Sequence, residues 1–87
     1  MKTRKLLTHH FAICIDNAEY PASLEKHKIY RIIQDKDAEQ DGDLRVIDES
    51  GEDYIYPADY FILVDLPRRI DLALRASFSR GRQQVAT

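Results

Sequence analysis

The sequence predicts a mainly β fold, a small five-stranded barrel followed by a short C-terminal helix. Five short runs of strand-forming residues are separated by turn residues, a pattern typical of small barrels. The stretch from Gly51 to Val64 is interpreted as a strand, a one-turn helix that contains Pro57, and a final strand. Apolar residues then recur at four-residue spacing, which indicates one amphipathic helix.

The five predicted strands are joined by loops of different character. Residues 16–23 hold turn and helix-breaking residues and predict a long loop, residues 35–43 predict a polar acidic loop, and residues 48–52 predict a hairpin loop. The second strand is largely apolar on both faces, which suits a curved barrel better than a flat sheet. The predicted strands are 11–15, 28–34, 44–47, 53–56 and 61–64.

The predicted helix runs from about Leu66 to Phe78 and has Asp71 and Arg75 as an i,i+4 pair on its exposed side. Gly81 is expected to end it, so the remaining residues are expected to be disordered. The apolar stripe consists of Ile70, Leu74 and Phe78.

Charge is distributed unevenly along the 87 residues, although the net charge is only −2. Residues 1–10 have three basic residues and no acid, and residues 66–87 have five arginines and one aspartate. Residues 11–65 have fourteen acidic and five basic residues. We therefore expect a flexible N-terminal arm (1–10), an acidic small β-barrel domain (11–65), and a C-terminal helix with a basic disordered tail (66–87).

Two further features, the lack of long apolar runs and the single cysteine, indicate the cellular compartment and the class of partner. The longest apolar runs are far shorter than the ~20 residues needed to span a bilayer, and the N-terminus has no apolar signal-peptide core. Cys14 is the only cysteine, which excludes an internal disulfide and a thiolate zinc site. We expect a cytoplasmic protein with no membrane partner.

The second half of the chain resembles Src-homology-3-like barrels. In that family a short helical turn with a Pro-x-x-Tyr signature links the fourth and fifth strands, and Pro57-Ala58-Asp59-Tyr60 stands at that place here. The resemblance implies the barrel fold over roughly residues 11–64. Peptide-binding members hold proline-rich segments on an aromatic shelf that includes a tryptophan, which this chain lacks, so polyproline recognition is not expected.

The chain also resembles a group of short uncharacterised bacterial and phage proteins. The segment that carries this resemblance is Ile47-Asp48-Glu49-Ser50-Gly51-Glu52-Asp53-Tyr54-Ile55-Tyr56-Pro57. Further matches are Cys14-Ile15-Asp16-Asn17 and Ala22-Ser23-Leu24-Glu25. This second resemblance implies no activity.

The acidic residues suggest chemistry only weakly. Asp37 to Asp48 approximates a calcium loop, but the final Asp is short for bidentate ligation and the predicted flanking elements are strands. A solvated acidic loop is the simpler interpretation. No nucleophile–base pair or glycine-rich phosphate loop stands out, so we expect neither an enzyme nor a cofactor or metal site.

Two binding functions remain open. Ile55 is expected in the core, which would leave Tyr54 and Tyr56 partly exposed for recognition or packed against the helix stripe. The leading hypothesis is an acidic, tyrosine-bearing barrel face that binds a protein or peptide segment, with a second copy of the chain as a further candidate. The alternative is nucleic-acid binding through the basic terminal segments. The candidate partner-binding residues are Tyr54, Tyr56, Tyr60, Asp53 and Asp59, and those of the alternative are Arg68, Arg69, Arg75, Arg80 and Arg82.

Overall fold

The computed structural model of the chain describes the backbone of residues 9–85 and the side chains of residues 9–79. Five antiparallel strands form one sheet, and a helix follows them. The elements are β1 (Phe11–Cys14), β2 (Ile29–Ile33), α1 (Lys36–Gln40), β3 (Asp43–Ile47), β4 (Asp53–Pro57), a 3-10 helix (Ala58–Tyr60), β5 (Phe61–Val64) and α2 (Arg68–Val85). The mainly β class and the final helix are confirmed.

The sheet is open, so the prediction of a closed barrel was wrong. The strand order is β4-β3-β2-β1-β5, and β4 and β5 are its two edges. Closure would require β4 to pair with β5. Instead, Pro57 directs the chain into the 3-10 helix, which carries it across so that β5 pairs with β1, Cys14 opposite Phe61.

The sheet has two faces because successive side chains alternate along each strand. We call the core side the inner face. Tyr30 and Ile32 are buried on this face of β2, and Leu24 from the preceding loop is buried in the same cluster. The buried cluster consists of Ala12, Cys14, Leu24, Tyr30, Ile32, Leu44, Val46, Tyr56 and Phe61.

The opposite, outer face is partly covered by α2. Phe11 is fully buried although it is not part of the inner cluster, and its ring lies 5.8 Å from that of Phe78 on α2. His10 Nδ1 lies 2.9 Å from a carboxylate oxygen of Asp71, one turn into the same helix. These contacts attach α2 to the start of β1.

The helix differs from its prediction in length and in the face that it buries. It ends at Val85 and passes through Gly81, because one glycine inside a helix costs only about 1 kcal/mol relative to alanine. Asp71 faces His10 rather than solvent, and its ion pair with Arg75 spans 2.8 Å. Of the predicted stripe, Leu74 and Phe78 are half-buried as expected, whereas Ile70 is 42% exposed.

The acidic segment 35–43 is not an irregular loop, because it contains α1. The Asp35 side chain accepts a hydrogen bond from the Ala38 amide and caps the helix, and Ala38 is buried. The Arg45 guanidinium lies between Asp35 and Asp53, 2.7 Å from each. The acids of this segment are thus partly used in capping and ion pairing.

The predictions for the two ends of the chain concern residues that lie partly outside the described part. The arm predicted at 1–10 includes residues 1–8, which lie outside it, while the His10 carbonyl accepts a hydrogen bond from Ile32. The tail predicted to be disordered is helical through Val85, and residues 86–87 lie outside the described residues. Within the described residues, no helix is long and apolar enough to cross a membrane.

Candidate binding surface

A groove of about 440 Å³ lies beside edge strand β4 and contains two of the predicted binding tyrosines. Tyr54 is 54% exposed on its rim, whereas Tyr56 is almost completely buried. We call this feature the aromatic groove. It is lined by Tyr20, Ser23, Asp48, Ser50, Tyr54, Ile55 and Tyr56.

The orientation of β4 is opposite to the expected one. Leu44 opposes Tyr56 and Val46 opposes Tyr54 across the β3–β4 ladder, and both β3 residues are buried on the inner face. The register therefore places the two tyrosines on the inner side and Ile55 on the outer side, where it is 41% exposed. The prediction that Ile55 fills the core was wrong.

Tyr20, which the sequence did not single out as a binding residue, joins the tyrosines of β4 and the 3-10 helix. Its ring is nearly perpendicular to that of Tyr56, with the ring centroids 5.0 Å apart, and its centroid lies 6.0 Å from that of Tyr60. The loop is held in place because the Leu24 amide donates to the Tyr20 carbonyl over 3.0 Å. Tyr56 therefore packs against Tyr20 and Phe61 and not against α2 as the alternative predicted, and the ring of Tyr54 is exposed.

Asp48 forms the buried polar part of the groove. Its carboxylate accepts hydrogen bonds from the Ser50 amide at 2.9 Å, the Ser50 hydroxyl at 2.6 Å and the Tyr56 hydroxyl at 2.5 Å. Burial raises the pKa of Asp48, but the hydrogen bonds from Ser50 and Tyr56 outweigh it, so the pKa lies below its ordinary value. The groove therefore contains a fixed negative charge.

The hydrogen bond to Asp48 also keeps the Tyr56 hydroxyl protonated, so that it acts as a hydrogen-bond donor. Burial and the hydrogen bond to Asp48 raise the pKa of Tyr56 to about 12. The sequence contains a signal for the bond between Asp48 and the Ser50 amide, since aspartate in a hairpin loop commonly accepts from the amide two residues on, but it contains none for the bond from Tyr56.

The other predicted binding residues surround the groove without lining it. The Tyr60 hydroxyl donates to Glu19 over 2.7 Å, and this hydrogen bond raises the pKa of Tyr60 to about 12. Asp59 is exposed on the 3-10 helix. Asp53 lies on the outer face of β4, where Arg45 pairs with it. The structure thus brings the tyrosines together but separates Asp53 from them.

The arginines of the nucleic-acid hypothesis are distributed along α2. Arg68 and Arg69 are exposed in its first turn, and Arg75 is paired with Asp71. The side chains of Arg80 and Arg82 lie outside the described ones, although both residues belong to the helix. Two of the five arginines are therefore directly available to a polyanion in the described part.

Two further observations concern possible metal ligands and the cysteine thiol. Across residues 9–79, no group of three or more His, Cys, Asp or Glu side chains is arranged to hold a metal ion. Cys14 is buried, and burial raises the pKa of its thiol, which disfavours the reactive thiolate.

Comparison with known proteins found no relative of this chain. No protein-family model, curated protein or solved structure matches the chain.

Proposed function

We propose that the chain is a non-enzymatic binding module whose aromatic groove holds a basic or amphipathic segment of another protein. The observation that carries the proposal is the groove itself, an opening of about 440 Å³ that combines the exposed ring of Tyr54 with the buried carboxylate of Asp48. Tyrosine supplies a large contact area at low cost in side-chain entropy. An anionic carboxylate favours lysine or arginine in the bound segment.

The surrounding charge supports the same partner class. Residues 11–65 carry fourteen acidic and five basic residues, so their potential attracts a basic segment and repels a polyanion. Arg45 is already shared between Asp35 and Asp53, and Lys28 lies 2.7 Å from Glu49. Much of the positive charge near the sheet is therefore already engaged.

We also propose that the sheet is an open relative of the Src-homology-3 barrel. The β2–β3–β4 meander, the placement of β5 beside β1 and the 3-10 helix after Pro57 support this assignment. The assignment concerns the fold alone, since fold does not imply function.

The test is selection of peptides from a random library on the full-length protein. Enriched peptides should combine lysine or arginine with apolar residues, and salt should weaken their binding. Tyr54→Ala should weaken binding about tenfold, as for an exposed aromatic anchor. The matched control is Ile62→Ala, because Ile62 is similarly exposed at 56% but lies on the opposite edge strand. Enrichment of acidic peptides, or equal loss in both variants, would contradict the proposal.

Nucleic-acid binding through α2 is the second candidate, favoured by the exposure of Arg68 and Arg69 on a helix of 18 residues. A double variant, Arg68→Gln with Arg69→Gln, separates the two functions. It should abolish salt-sensitive binding to DNA or RNA if α2 is the site, and it should leave peptide binding by the aromatic groove unchanged.

A further inference from the structure

Among the described residues, no strand pairs with the outward edge of β4. The Asp48 amide donates to the Glu52 carbonyl at one end of the β3–β4 ladder, and the Ala58 amide donates to the Gly42 carbonyl at the other. Hydrogen-bonded pairs alternate along an antiparallel ladder, so these bonds fix which groups of β4 point toward β3. The backbone N–H and C=O groups of Tyr54 and Tyr56 point toward β3. The backbone groups of Asp53, Ile55 and Pro57 point away from the sheet.

The side chains along this edge are open to solvent as well. Asp53, Tyr54 and Ile55 are three consecutive exposed residues. The other edge strand, β5, is more enclosed, because Phe61 is buried and Leu63 packs against the core. An exposed strand edge is a template for pairing with a further strand.

We propose that two copies of the chain associate through their β4 edges, paired antiparallel about a two-fold axis at Ile55. In this register Ile55 faces Ile55 of the second copy, Tyr54 faces Tyr56, and Asp53 faces Pro57. The two Ile55 residues exchange N–H···O bonds, and each Asp53 amide donates to the Pro57 carbonyl opposite it. Proline has no N–H, so the ladder ends there.

The residues that meet in this register are complementary. Isoleucine meets isoleucine on the outer face and aromatic meets aromatic on the inner face, and such cross-strand pairs are stabilising. The only charged residue of the strand, Asp53, faces an uncharged proline and is already paired with Arg45 at 2.7 Å. Residues 11–65 are acidic in both copies, so repulsion between the copies opposes the dimer and is screened by salt. A ladder of five residues gives a weak, concentration-dependent dimer.

Cysteine cross-linking tests the register directly. In the full chain, Ile55→Cys should form an intermolecular disulfide in a glutathione redox buffer, since hydrogen-bonded antiparallel partners lie about 5.5 Å apart between Cα atoms, within disulfide reach. The wild-type protein, whose only thiol is buried, and Ile62→Cys on the β5 edge should remain uncross-linked. Cross-linking of Ile62→Cys to the same extent, or none of Ile55→Cys, would overturn the proposal.

Sedimentation equilibrium provides a measurement that requires no added thiol. The wild-type protein should show a monomer–dimer equilibrium at concentrations up to about 1 mM. Ile55→Lys should raise the dimer dissociation constant by about tenfold or more, because like charges would then face each other across the axis. Ile33→Lys is the control, since Ile33 is exposed to a similar degree, 38%, but lies two strands away from the edge. A wild-type protein that stays monomeric, or equal effects of both variants, would refute the dimer.

The dimer and the peptide-binding function can fail separately. Added salt should weaken the binding of a basic peptide, whereas it should leave the dimer unchanged or strengthen it, since the paired strands carry no attraction between opposite charges. Because Ile55 also lines the aromatic groove, Ile55→Lys reports on the dimer alone, and the opposite responses to salt separate the two proposals.

Discussion

The Tyr56 hydroxyl donates a hydrogen bond to a carboxylate oxygen of Asp48 over 2.5 Å, and both residues are almost completely buried. This pair joins β4 to the hairpin loop that precedes it. It also fixes the ring of Tyr56, which packs nearly perpendicular to the ring of Tyr20 with the two centroids 5.0 Å apart. The shape of the aromatic groove therefore depends on one buried hydrogen bond.

Removal of the Tyr56 hydroxyl tests this dependence. Tyr56→Phe should lower the free energy of unfolding by about 1–3 kcal/mol, because it leaves a buried carboxylate with one acceptor position unsatisfied. The measurement is urea denaturation at neutral pH. Tyr54→Phe is the matched control, since that ring is 54% exposed and should change stability by less than about 0.5 kcal/mol. Equal effects of the two variants would show that the Asp48 hydrogen bond is not what stabilises the groove.

Acid should weaken the fold through Asp48. Its pKa in the folded state lies below that of the unfolded chain, which is about 3.9 for aspartate. The ionised group therefore contributes its full stabilisation above the unfolded value, and this contribution is lost as pH falls through the folded value.

The comparison that isolates this effect is between the wild-type protein and Asp48→Asn, by urea denaturation from pH 7 to pH 2. The variant should be less stable at pH 7 and should lose less stability on acidification. Carboxyls whose pKa values are lowered without any contribution from Asp48, such as that of Asp35, titrate alike in both proteins and cancel in the difference. Parallel pH profiles would contradict a stabilising role for ionised Asp48.

The extent to which the sequence predicts this fold differs between its elements. Strand β2 was predicted at residues 28–34 and is observed at Ile29–Ile33, because its β-branched and aromatic residues suit a strand. Alternation did not decide that the face of Tyr30 and Ile32 is the buried one, since both faces are largely apolar. The buried face of β4 was predicted incorrectly, because Tyr54, Ile55 and Tyr56 are all suitable for a half-buried strand. The hairpin register decides between them, and hydrophobicity does not report it.

The missed helix α1 and the missed binding residue have different physical causes. The run of acids from Asp35 to Asp43 resembles a loop by charge, yet Lys36, Ala38 and Glu39 form helices readily and Asp35 is a good cap. Tyr20 is distant in sequence from the other groove residues. Only the folding of its loop onto β4 brings it to the site, so local patterns cannot assign it.

The attachment of α2 should depend on the contact between Phe78 and Phe11. Aromatic pairs at such distances contribute about 0.5–1.5 kcal/mol beyond the burial of their area, and Phe11 is fully buried beneath the helix. Phe78→Ala should therefore speed amide hydrogen exchange in α2 while the central strands β2 and β3 keep their protection. Leu72→Ala is the control, because Leu72 is 43% exposed on the same helix. Unchanged exchange in Phe78→Ala would mean that other contacts hold α2.

The hairpin between β3 and β4 should tolerate asparagine better than alanine at Gly51. Its φ of +85° lies in the left-handed region, where an ordinary L-residue costs about 1–2 kcal/mol. An added Cβ would meet no atom within 4 Å, so the cost of Gly51→Ala is one of backbone conformation and not of collision. Gly51→Asn should cost less, since asparagine adopts this region more readily. Urea denaturation of both variants measures the difference, with Glu52→Ala on the same hairpin as an exposed control expected within about 0.5 kcal/mol of the wild type. If the alanine variant were as stable as the wild type, the left-handed conformation of Gly51 would not be required for the turn that positions Asp48 against Tyr56.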